Sequence, residues 1–145
     1  MTEVLLWLGG VSALALFFAG LWYLLQIIAY WKIFTKAGKP GWHSLIPFLN
    51  TYDEFDLSWN GLWGLVFLAI AFVVAYLSRS GAPAPGSETI VYVLSAALVI
   101  LEVVERHKLS KSFGHGLLFT LGLILLPPFF MLWLGFGSDW YRGRQ

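Results

Sequence analysis

Residues 116–137 read "GLLFTLGLILLPPFFMLWLGFG". Apart from Thr120, every residue in this run is apolar, glycine or proline. About 20 such residues are what a helix needs to cross the hydrocarbon of a bilayer. Pro127 and Pro128 sit in the middle of the run. Neither carries an amide donor, and each ring crowds the turn before it, so the pair must kink or break the helix. The expectation is a membrane span over about 116–135, bent at the prolines, with its last turn re-aimed toward Gly135–Gly137.

Working outward, three more apolar stretches precede it, over about 4–30, 61–77 and 89–107. All are continuously apolar rather than alternating, and lipid tolerates only helices or closed barrels, so helices are expected. The expected architecture is all-α: an integral membrane four-helix bundle forming one domain over residues 1–145. Composition agrees. Of the 145 residues, 59% are hydrophobic and only 12% charged, against roughly 25% in soluble domains. The net charge of +1 offers nothing to nucleic acid, and the absence of cysteine removes disulfides, thiolate nucleophiles and Cys-based metal sites. The N-terminal run lacks a basic n-region and is too long for a signal sequence, so it reads as a retained helix.

Lysine and arginine set the expected orientation. Lys32, Lys36 and Lys39 follow the first span, and Arg106, Lys108 and Lys111 follow the third. Only Arg79 follows the second, while Arg142 and Arg144 lie in the tail. This pattern predicts loops one and three in the cytoplasm and both termini outside. Trp7, Tyr76, Tyr92, Trp133 and Trp140 are expected at the outer interface. Tyr30, Trp31, Trp42, Trp59 and Trp63 are expected at the inner one. The outer loop, Ser78–Glu88, is rich in Gly, Pro and Ser and reads as flexible.

Between the first two spans, "KAGKPGWHSLIPFLN" (residues 36–50) reads as a short amphipathic interfacial segment. Trp42 and its apolar neighbours would dip into the headgroups, with His43 and Asn50 beside them. Pro40–Gly41 starts a turn, and Pro47 is expected to limit any helix to about two turns.

"AGKPGWHSLIPFLNTY" and "LSKSFGHGLLFTLGLILLPPFFMLWLGFGSDWY" resemble a family of small bacterial multi-span membrane proteins of unknown function. Its pattern runs AG-x-x-GW-x-x-LIP-x-x-N, then LAK-x-FGK, then GLGLILLP-x-x-F-x-x-LGFG. The chain departs from it with Ser110 in "LSK", with His115 where a lysine is expected, and with a longer outer loop. Some relatives accompany signal-peptidase-like sequences. The resemblance implies a multi-pass protein of the bacterial inner membrane and no established activity.

Glu102 is the leading functional candidate, an acid about 7 Å inside the cytoplasmic end of the third span. Arg106 is its i+4 partner, and Glu105 lies close by. On the first span, Ser12, Ala15, Ala19, Trp22 and Gln26 share one face suited to close helix packing, with Gln26 able to hydrogen-bond across it. Glu102, Glu105, His107 and His115 are the weak candidates for a metal, at spacings that match no ligand motif, so neither metal nor cofactor is expected. "DEFD" lacks the glycine and distal glutamate of a calcium loop, and "AGKPGW" lacks phosphate-loop spacing. Lys108, Ser110, Lys111 and Ser112 offer a Ser–Lys pair only on the cytoplasmic side. The expected function is therefore non-catalytic: an accessory or scaffold subunit packing against lipids and other membrane protein subunits. The alternatives are a small oligomeric transporter or channel built around Glu102, and a small membrane enzyme.

Overall fold

The computed structural model describes residues 2–79 and 86–145, with side chains from Ser12 onward. Among these, the elements are α1 (Thr2–Lys36), a 3-10 turn (Gly41–Leu45), α2 (Pro47–Ser58), α3 (Gly61–Arg79), α4 (Ser87–Ser112), α5 (Leu117–Leu125) and α6 (Pro127–Phe136). Three helical segments are long and apolar enough to cross a membrane: Ser12–Lys36, Gly61–Arg79 and Ser87–Ser112. Most of the outer loop, and the side chain of Trp7, lie outside the described residues.

The fourth apolar stretch is not a single helix, which corrects the four-helix bundle. Leu126 leaves helical geometry at φ −135°, ψ 55°, and α6 turns back along α5. The Phe119 ring lies 5.0 Å from Phe130 and 6.2 Å from Trp133. In one continuous helix, Phe119 and Trp133 would stand about 21 Å apart. The arms have 9 and 10 residues, so each reaches about 14 Å, half the hydrocarbon thickness of a bilayer.

The two prolines explain why the chain can turn here. A helix start leaves four amides without helical partners. Here Pro127 and Pro128 have no amide to leave. The neighbouring amides are bonded, Leu126 to Gly122 O at 2.8 Å and Phe129 to Leu126 O at 3.1 Å. A free amide in hydrocarbon costs several kcal/mol, and this apex exposes none at those positions.

At the other end, α1 and α4 close in the same way. Lys39 N bonds Phe34 O at 2.8 Å and Gly38 N bonds Thr35 O at 3.1 Å, while Gly38 takes φ +75°. His115 N bonds Ser110 O at 2.9 Å and Gly114 N bonds Lys111 O at 2.8 Å, with Gly114 at φ +81°. Both are Schellman ends, whose left-handed position favours glycine. The "AGK" and "FGH" segments are thus the stops of the two longest helices.

The 3-10 turn begun at Gly41 ends at Leu45, short of Pro47 as expected, and Pro47 then starts α2, where its fixed φ and missing amide suit a first helical position. The α2 helix runs 12 residues. It lies in the crook of α3 and α4 and touches the end of α1. The Asn60 side chain accepts from the Leu62 amide at 2.9 Å and so caps α3.

The buried core sits at one end of the molecule. Ile33, Phe34, Leu57, Leu109, Phe113, Leu123, Met131 and Leu134 form it, drawn from α1, α2, α4, α5, α6 and the turn after α4. We refer to this end as the platform. Neighbours run in the order α1, α6, α5, α4, α3; among the described residues the α1 backbone approaches neither α3 nor α4, and α1 meets α4 through core side chains only. Away from the platform α3 and α4 lie against each other, while α1 stands apart from both. Only 6%, 11% and 6% of the most apolar part of each is buried.

The C-terminal tail returns to the platform. Arg142 N bonds Ser112 O at 2.7 Å, Tyr141 donates its hydroxyl to Leu57 O at 2.8 Å, and Gln145 N bonds Ser58 O at 3.2 Å. The tail therefore shares an end with the segments expected as loops one and three, not the opposite end. Trp133 and Trp140 move with it. The hairpin is the reason: it returns the chain to the side it left.

Candidate functional site

The polar side chains converge on the platform in three groups. The first is centred on Arg106. Its guanidinium pairs with Glu54 from α2, with Glu105 at 3.5 Å and with Glu102 at 3.6 Å. Tyr30 of α1 donates to the same Glu54 carboxylate at 3.4 Å. One cation thus joins α1, α2 and α4. Glu105 is buried and keeps one carboxylate oxygen without a hydrogen-bond partner. Glu102, by contrast, is 52% exposed.

The second group joins the loop after α1 to α2 and the tail. Lys39 Nζ lies 2.7 Å from both Asp53 and Asp56. His43 pairs with the other oxygen of Asp53. Arg144 reaches Asp56 at 2.9 Å, and the Gly61 amide donates to the same oxygen at 3.2 Å. Burial alone would push the Asp56 carboxyl up. The bonds and charge of Lys39 outweigh it and hold the carboxyl below its ordinary range. Burial would likewise push Lys39 down, and the two aspartates outweigh it and raise it. The Tyr141 hydroxyl is raised mainly by burial, in keeping with its role as donor to Leu57 O.

The third group fixes the hairpin feet. Lys36 donates to Leu134 O and, at 2.8 Å, to Gly137 O, placing a cation on the last carbonyls of α6. His115 Nε2 lies 3.3 Å from Asp139, and its ring stacks on Phe119 at 3.9 Å. A cleft of about 260 Å³ opens beside Lys36, lined by residues 137–141. His107 meets the Thr120 hydroxyl at 3.2 Å. His107 and His115 therefore serve separate joints. Among the described residues, no three His, Cys, Asp or Glu side chains are arranged to hold a metal ion.

The face expected on α1 divides in two. Its lower half is used: Trp22 packs on Phe129 at 5.2 Å, Gln26 donates to Pro128 O at 3.3 Å, and Ile33 is buried. Ala29 meets Gly135 so closely that a Cβ on the glycine would stand 2.7 Å from the Ala29 Cα. The upper half, Ser12, Ala15 and Ala19, is exposed beyond the hairpin apex. In the interfacial segment Trp42, Leu45, Ile46 and Phe48 are exposed, while Asp53 and Phe55 face inward. Asn50 is half-buried.

Sequence reasoning missed Glu54, Asp53, Tyr30 and Lys36 as structural partners. One signal was present. Asp53, Glu54 and Asp56 are interleaved with Phe55 and Leu57, a helical pattern placing acids beside core residues. Nothing in the sequence named Arg106 as the partner of Glu54, 52 residues away.

These features define an all-helical protein with three helices of membrane-crossing length and apolarity, tied together at one end by a charged platform. The chain belongs to the family of unknown function DUF5684, whose model matches residues 42–144. No curated protein and no solved structure matches it.

Proposed function

We propose that the chain is a non-catalytic scaffold subunit of a bacterial inner-membrane assembly. Its platform lies at the cytoplasmic face, and its α1 takes a partner's transmembrane helix above the hairpin. The α1 stripe carries this reading. The face that grips α6 through Trp22, Gln26 and Ala29 continues upward as Ser12, Ala15 and Ala19, which the chain leaves exposed. Small residues in that register admit a second helix at close range. The apex of the hairpin provides a floor on which such a helix would end.

The basic residues support the orientation. Lys32, Lys36, Lys39, Arg106, Lys108, Lys111, Arg142 and Arg144 lie at the platform end, and only Arg79 at the other. On this reading the N-terminus is outside and the tail inside, with the hairpin dipping halfway into the membrane from the cytoplasmic side. The reading centred on Glu102 gains no comparable support. That carboxylate is half exposed, and the described helices close no channel around it.

Extraction of tagged chain from its native membrane in a mild detergent tests the proposal. A complex containing a second membrane protein is expected, and Ala15→Leu with Ala19→Leu should release that partner while the chain stays folded. Co-purification unaffected by these substitutions, or a chain that carries only lipid, would overturn it.

A further inference from the structure

We infer that this chain is a wedge for one leaflet, and that it prefers membranes curved so that the platform-side leaflet is expanded. The inference rests on the membrane reading of the spans and is independent of any partner.

The argument begins with cross-section. Among the described residues, only α1, α3 and α4 continue beyond the hairpin apex. On the platform side α5 and α6 join them, with α2 wedged in the crook of α3 and α4. Each helix is about 10 Å across, so the two halves of the molecule displace very different areas of lipid. A hydrophobic insertion limited to one leaflet expands that leaflet relative to the other.

Three observations assign the outside of the hairpin to lipid. Its arms match one leaflet in depth, about 14 Å against a hydrocarbon core of about 30 Å. The outward residues are large and apolar: Leu117, Leu118, Leu121 and Leu125 are 69%, 85%, 52% and 74% exposed. At the hairpin foot and in the adjoining segments Trp42, Trp133 and Trp140 are 48%, 60% and 84% exposed, as rings at headgroup depth are. The polar atoms at the feet are turned inward, Lys36 onto the α6 carbonyls and His115 onto Asp139. The hairpin therefore offers lipid an apolar surface that ends where headgroups begin. A partner helix above the apex would reduce the asymmetry, so the chain must be tested alone.

Purified chain with a fluorescent C-terminal tag is reconstituted into phosphatidylcholine–phosphatidylglycerol vesicles of mixed size. External protease removes outward-facing tags and so separates platform-out from platform-in molecules. Protein per lipid is then read vesicle by vesicle. For platform-out molecules density should rise by about twofold or more from the largest to the smallest vesicles, the curvature response of a one-leaflet insertion. For platform-in molecules it should fall. Leu118→Ser with Leu121→Ser, at exposed sites, should flatten both trends without loss of vesicle flotation or of tryptophan fluorescence. Density independent of diameter, or the same trend in both orientations, overturns the wedge. Failure to float with vesicles would overturn the membrane reading itself.

Discussion

Arg106 shows how much one side chain carries in this protein. Its guanidinium is the shared partner of Glu54, Glu105 and Glu102, and only 12% of it is exposed. Removing one member of a buried ion pair leaves the other charge without compensation. Arg106→Leu should therefore destabilise the platform by about 3–5 kcal/mol. Glu102→Gln, at a half-exposed partner, should cost no more than about 1 kcal/mol. Thermal unfolding in detergent followed by tryptophan fluorescence compares the two, and equal losses would restore Glu102 to the centre of the site. At this scale the sequence was partly readable. It marked the Glu102–Arg106 pair from i,i+4 spacing, because helical neighbours are fixed by local geometry. It did not reveal Glu54 as the stronger partner, since that contact depends on how α2 packs.

Between elements, α6 approaches α1 closely at Gly135 and Ala29. An added methyl there would lie 2.7 Å from the Ala29 Cα and carbonyl oxygen, and backbone cannot step aside as a side chain can. Gly135→Ala should lower stability by about 1–3 kcal/mol, the range of overpacked cores. Gly20→Ala is the control. That glycine has open space around it in α1, and the exchange should be neutral or stabilising by up to about 1 kcal/mol. Unfolding midpoints of both variants check the contrast. The long helices were legible because continuous apolarity over a membrane's thickness admits one reading. The hairpin was not. Two prolines announce a break, yet kinked and folded-back helices share the same local sequence. Only the non-local meeting of Phe119 with Phe130 and Trp133 separates them.

Across the whole molecule, ion pairs from the loop after α1, from α2 and from the tail clasp one end. Asp56 is held below its ordinary value, so its contribution is complete above the unfolded carboxylate value and is lost as pH falls through the folded one. Lys39 is raised, so its contribution is complete below the unfolded lysine value and is lost as pH rises through the folded one. The contribution of this pair should be level between those limits and fall on both sides. Asp56→Asn should remove part of the acid-side fall, as thermal midpoints measured against pH would show. A midpoint that rises on acidification would contradict the pairing. The clasp also has a consequence for synthesis. Gln26 of α1 finds its partner, Pro128 at the start of α6, 102 residues later in the chain. A nascent chain therefore keeps the Gln26 side of its first helix open until α6 has been made. Closure of this joint is gated by synthesis of the hairpin, and a chain cut off before Pro127 cannot make it.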